Sequence, residues 1–334
     1  MNETAANTPA AEIGHELRTT DIPQSRVLAT LIRREFWENR QLWIVPLVVA
    51  AIMLIASLFT HFGSASEVKM PFGPQNWNWA TARPVSAYQE SVALTSLRQW
   101  MLAIPLYIVA AVLVYFYLLN SLFDERKDRS ILFWKSLPVS DGLTVASKLL
   151  VGTVIVPLGT FVIVLVTYVL YAEIWNLRVS WGLTNGPAFV WDAAAWFKLE
   201  GLMLIAVCSS MLWYAPVAAY LVFISSWARR QVFLWSVLPW LILGIVERIA
   251  FGTQLVQNLG LYRLGGPWGN PQAWNFVGAA IVGPNHNQLV DLSAVFDSLS
   301  LAALLGRSGL WIGLVVAAGF AYGATRIRRF RDDT

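Results

Sequence analysis

Charge is scarce in this chain. Asp, Glu, Lys and Arg make up 13% of its 334 residues, about half the usual share. That excludes a disordered chain and an ordinary cytosolic enzyme. Cysteine occurs once, at Cys208, so there is no disulfide framework and no cysteine-based metal cluster. The three histidines, His15, His61 and His286, lie far apart, and no H-E-x-x-H occurs. His286 has only Asp291 nearby, and two candidates do not make a metal site. No G-x-x-x-x-G-K-[ST] occurs, so the sequence offers no P-loop to cradle a nucleotide phosphate. Gly63-Ser64-Ala65-Ser66 lacks the setting of a nucleophilic serine. The sequence therefore predicts no catalytic residue, no metal ligand and no cofactor held by this chain.

Apolar residues are abundant, at 57%, and there are 17 tryptophans, a residue that favours membrane–water interfaces. A spanning helix needs about 20 mostly apolar residues. Stretches free of charge run 41–66, 99–123, 149–172, 201–228, 231–246 and 308–325. They predict an all-α polytopic membrane protein with six spans, at about 42–62, 100–120, 149–172, 200–224, 232–250 and 307–325. The outer loops between them are of moderate size, and 251–305 is the longest. Within it, 264–290 is also uncharged. Gly265-Gly266-Pro267, Gly269-Asn270-Pro271 and Gly283-Pro284-Asn285 mark that stretch as loop, or at most a short re-entrant piece.

Six spans put both termini on one side of the membrane. That side carries sixteen of the 24 basic residues, clustered near span ends, so the positive-inside rule makes it cytoplasmic. The net charge of +4 thus reflects membrane orientation and contact with membrane lipids, and no nucleic-acid partner is expected. Residues 1–24 are polar, with no apolar core, and read as a disordered cytoplasmic tail without a cleavable signal. Residues 25–330 read as a single six-helix transmembrane domain.

Two cytoplasmic segments stand out. In 25–40, Ser25 is the expected N-cap. Val27, Leu28, Leu31, Ile32 and Phe36 share one helical face, and Arg26, Arg33, Arg34 and Arg40 decorate the rest. This predicts an amphipathic helix along the inner membrane surface, either a plain anchor or a surface that also touches a cytoplasmic partner. Residues 124–141 read DERKDRSILFWKSLPVSD. Asp128 can cap a short helix carrying Ile131, Leu132, Trp134 and Lys135. Pro138 closes it, and Ser140 caps the next helix, which runs into the third span. Aromatics flanked by charges, here Phe133 and Trp134, are what a docking surface presents, though they also suit the headgroup region.

Glu125-Arg126, Arg129-Ser130-Ile131 and Ser136-Leu137-Pro138-Val139-Ser140 together resemble the E-R-x-x-G-T…L-P-V-S loop between the second and third spans of type-2 ABC exporter permeases. Arg129 stands where that family has glycine. The resemblance covers 25–330 in layout, while its specific motif is confined to this one loop. It implies a short cytoplasmic coupling helix, with Glu125, Arg126, Arg129, Ser130, Ile131, Phe133, Trp134, Leu137 and Pro138 engaging a separate ABC ATP-binding subunit. It implies a connecting helix marked by Arg33, Arg34 and Phe36. It further implies a second permease copy or a paralogue, ATP and Mg on the partner ATPase, and a bacterial cytoplasmic (inner) membrane. The competing class is a sensor, immunity or scaffold module that keeps the fold without transporting, and a partner ATPase discriminates the two.

Ionisable residues inside the spans are few, which argues against a transporter driven by protons or sodium. Glu247 lies about 24 Å along the fifth span from Gln231. With Arg248 it reads as an interfacial ion pair or, functionally, as an outer gate or a substrate contact. Glu173 and Glu200 read as similar interfacial charges at the outer ends of the third and fourth spans.

Overall fold

A computed structural model describes residues 23–59, 87–128, 139–184, 188–189, 191, 193–267 and 304–330. The expected tail therefore lies outside the described residues as far as position 22. All regular structure among the described residues is helical. Among the described residues six helices are long and apolar enough to cross a membrane: Gln41–Phe59, Leu102–Lys127, Asp141–Ser180, Leu199–Trp227, Val232–Phe251 and Ser308–Phe330. Each overlaps one of the six charge-free stretches of the sequence, and all but Gln41–Phe59 extend past it to take in charged residues. The chain has the character of a multi-pass membrane protein.

Helix α1, Gln24–Glu38, precedes the first span. Its N-cap is Pro23 and not Ser25, which lies inside the helix. Proline's fixed φ and missing N–H suit a helix start, and the Pro23 carbonyl accepts from Arg26 N at 2.8 Å. Leu31 and Glu35 are the buried residues of α1. Phe36 falls off that stripe and is exposed; its ring lies against Trp43, 4.8 Å away. After Asn39 and Arg40 the chain enters α2, Gln41–Phe59, the first span.

The second span lies in α3, Ala87–Asn120, followed by the five-residue α4, Phe123–Lys127. The third is composite. Helix α5, Asp141–Leu150, opens on the expected Ser140 cap, whose hydroxyl accepts from Leu143 N at 3.3 Å. A π-helical turn, Val151–Ile155, then leads into α6, Val156–Ser180. The reason is Pro157: its ring crowds the carbonyl four residues back, and it donates no hydrogen bond. A wide turn just ahead of it relieves that clash. Gly152 in this turn lies against Leu118, so α3 packs where the helix widens.

Helices α7, Ala193–Trp227, and α8, Val232–Phe251, carry the fourth and fifth spans. Helix α9, Leu255–Leu264, lies inside what the sequence marks as a long loop. Helix α10, Ser308–Phe330, is the sixth span. It runs parallel to α7, with Tyr220 and Phe223 against Phe320 at 5.5 and 5.4 Å. Gly323 faces Phe223.

Between lipid-embedded helices there is no hydrophobic driving force, so packing and interhelical hydrogen bonds hold the bundle. The largest core brings together Leu42, Leu118, Val145, Val156, Val222 and Ala324, from α2, α3, α5, α6, α7 and α10. It sits toward the face that holds α1, α4 and the end of α10, here termed the terminal face. By contrast α8 exposes Phe233, Leu234, Val237, Leu241, Ile242, Ile245 and Ile249. A helix apolar all round suits lipid.

Candidate functional site

Four charged side chains from four separate segments meet at the terminal face. They are Glu35 on α1, Glu125 on α4, Lys148 on α5 and Arg328 on α10, exposed by only 2, 6, 2 and 5%. Lys148 Nζ lies 2.7 Å from Glu35 Oε1 and 3.0 Å from Glu125 Oε1. Arg328 Nη1 donates to Glu125 Oε2 at 2.5 Å, and its Nε donates to Asp141 Oδ1 at 3.0 Å. Tyr117 on α3 donates its hydroxyl proton to Glu35 Oε2 at 3.0 Å, and Asn39 Nδ2 donates to the same oxygen at 3.3 Å. Two buried carboxylates thus meet two buried cations, and both Glu35 oxygens are engaged. That balance allows charge to persist away from water.

Arg34 extends the cluster toward the surface, with Nη2 3.4 Å from Glu125 Oε1 and Nε 2.7 Å from Glu38 Oε1. Burial works against the Arg34 charge, but Glu38, Glu125 and Glu35 together raise its pKa above the ordinary arginine value. It stays protonated. Arg33, one residue away, is exposed and belongs to none of these pairs.

Arg126 acts on the backbone. Its Nη2 donates to Ser225 O at 2.6 Å and to Ala228 O at 2.8 Å, carbonyls at the end of α7. A cation there satisfies orphan acceptors and complements the negative end of the helix dipole. In return, Ser225 Oγ accepts from Leu122 N and Phe123 N at 2.9 and 3.0 Å, the orphan donors that open α4. Helices α4 and α7 therefore cap each other. The adjacent pair Glu125-Arg126 ties α4 to α1, α5 and α10 through one side chain and to α7 through the next.

Of the residues the sequence marks for coupling, Glu125 and Arg126 are thus internal braces. Arg129, Ser130, Ile131, Phe133, Trp134, Leu137 and Pro138 lie outside the described residues. Asp128 closes α4 as its C-cap, and the chain is described again from Val139. The braced cluster stands at both stems of that segment. Glu35, Lys148, Tyr117, Asp141 and Arg328 belong to the cluster without having been marked by sequence reasoning.

At the opposite face the expected pairing of Glu247 with Arg248 does not form. Neighbours in a helix point away from each other, and Arg248 is exposed. Glu247 instead accepts from Thr253 Oγ1, from Leu255 N and, at 2.7 Å, from Val256 N. It caps the start of α9. The tight turn between α8 and α9 uses Gly252 at φ 64°, a conformation glycine adopts without strain.

Helix α9 then returns along the bundle. Trp213, midway along the fourth span, donates Nε1–H to Arg263 O at 3.0 Å. Arg263 lies over the Trp213 ring at 4.6 Å and donates to Gly309 O at 2.7 Å. Gly313 leaves the space its guanidinium occupies. Glu173 is exposed, whereas Glu200 is buried and bonded to Gln99 on α3. Glu200 thus stands at the start of the fourth span, Leu199–Trp227, where the sequence places it, but it faces its neighbour helix.

Among the described residues no group of three or more His, Cys, Asp or Glu is placed to hold a metal ion. The chemistry of the terminal-face cluster is mechanical: it fixes separate segments to one another by charge. No protein-family model, curated protein or solved structure matches this chain.

Proposed function

We propose that this chain is the membrane-spanning subunit of an ATP-driven exporter, coupled through its second cytoplasmic segment to a separate ABC ATPase. The reading rests on the resemblance of residues 125–140 to the coupling loop of type-2 permeases. One structural observation supports it: the leading stem of that loop, α4, is braced to α1, α5, α7 and α10 by Glu125 and Arg126. A push on 129–138 would be passed to all of these helices together. A partner can shift a two-state membrane domain only by engaging its states with different affinity. Here the difference would arise at the loop, as nucleotide binding moves the ATPase. In this reading the terminal face is cytoplasmic, two copies or a copy and a paralogue line the path, and ATP and Mg stay on the ATPase. Arg33 and Phe36, exposed on α1, face the same compartment.

The test uses Phe133→Ala and Trp134→Ala in the full-length chain. Both should cut the amount of co-purifying ATPase and its stimulation by the permease, with the Tm unchanged. Full recovery and stimulation with both variants would overturn the docking assignment.

A further inference from the structure

Away from the charge cluster, at the other end of the α3–α7 seam, Gln99 and Glu200 meet. Gln99 is fully buried, and Glu200 is 7% exposed. Gln99 Nε2 donates to Glu200 Oε1 at 2.6 Å. Among the described residues the remaining oxygens of the same two groups, Gln99 Oε1 and Glu200 Oε2, have no hydrogen-bond partner. No ion pair among the described residues includes Glu200. On α3, Tyr107 is within electrostatic reach of Glu200, and among the described residues its hydroxyl has no hydrogen-bond partner.

An ionised Glu200 would hold a buried charge against a single neutral donor, with two acceptor oxygens left over. Buried carboxylates are otherwise paired with cations or rich in donors. The cluster at Glu35 and Glu125 shows the contrast, since each buried carboxyl group there contacts at least one cation. One proton changes the count at Glu200. Placed on Oε2, it supplies the donor that Gln99 Oε1 lacks, and both orphan oxygens are satisfied by one new bond.

We infer that Glu200 is a proton-binding site, held as a neutral carboxylic acid at neutral pH and paired head to head with the Gln99 amide across the α3–α7 seam. The ligand is a proton taken from water, bound at Oε2. Loss of that proton turns a two-bond clasp into a one-bond contact beside an unpaired charge, so the seam loosens at this end when Glu200 ionises. The inference is independent of the exporter reading and holds equally for a non-transporting membrane module.

Infrared spectroscopy on the purified full-length chain at pH 7, in H2O and D2O, tests it. A glutamic acid with the ordinary pKa of about 4.3 is under about 1% protonated there. The wild type should show a protonated-carboxyl C=O band that shifts in D2O. Glu200→Gln, whose amide can make both bonds, should lose the band and keep the wild-type Tm. Gln99→Leu retains the acid and should move the band upward by removing its partner, which reads the same site without altering residue 200. No such band in the wild type, or a band unchanged in both variants, would overturn the proposal. So would a Tm gain of the wild type in sodium or potassium chloride that Glu200→Gln abolishes, since it would make the site one for a metal cation.

Discussion

Lys148→Met tests the buried charge cluster where it has the least redundancy. Lys148 Nζ sits between Glu35 Oε1 at 2.7 Å and Glu125 Oε1 at 3.0 Å. Glu125 also has Arg328 and Arg34, so it keeps cations when Lys148 is lost. Glu35 is left in contact with the neutral donors Tyr117 and Asn39. Breaking a buried pair in this way costs about 3–5 kcal/mol, because a charge is stranded. At about 2.1 cal/mol/K of unfolding entropy per residue, a chain of this length should lose roughly 4–7 °C of Tm. Adding Glu35→Gln removes the stranded charge while keeping the contacts to Tyr117 and Asn39. The double variant should recover most of the loss, a coupling on the order of 2–3 kcal/mol. The charge swap, Glu35→Lys with Lys148→Glu, should not recover it, since it sets a carboxylate at 148 against Glu125. Intrinsic tryptophan fluorescence during heating of the detergent-solubilised protein reads every variant. If Lys148→Met melts with the wild type, or the double variant is no better than the single, the cluster does not hold these segments together.

Other outcomes follow from single contacts. Arg126→Met removes the donor to Ser225 O and Ala228 O and should cost about 1.5–3 kcal/mol, read by the same melt. Gly159→Ala places a methyl group against the Trp43 ring. The ring is rigid, so overpacking should cost about 1–3 kcal/mol, and Trp43→Leu should relieve it. Glu247→Ala removes the cap of α9 and should speed amide exchange at Leu255 and Val256, whereas Arg248→Ala should leave both rates unchanged.

The spans are legible in the sequence because lipid imposes a simple rule: long uncharged apolar runs become helices. The Ser140 cap is legible for a similarly local reason. The charge cluster is not, because Glu35, Lys148 and Arg328 sit in stretches whose basic residues look like ordinary membrane-orienting charges. A signal is present all the same. Glu35 falls four residues after Leu31, in register with the apolar stripe, and Lys148 falls three after Val145, on the buried face of α5. Charges in phase with an apolar stripe are candidates for burial. Glu35 and Lys148 come from segments more than a hundred residues apart, and nothing local announces such a meeting. Glu247 is hard to read because its partner is a helix start that counting apolar residues does not resolve. Helix α9 is only ten residues long and buries none of them, so it carries no apolar stripe.

The exporter reading is tested most directly by capturing the tagged full-length chain from membranes in mild detergent and identifying what co-purifies by mass spectrometry. The account predicts a stoichiometric P-loop ATPase, lost with Trp134→Ala. A membrane protein recovered alone in several detergents, with no ATPase at any ratio, would contradict it and leave residues 129–138 as a docking segment for a different partner.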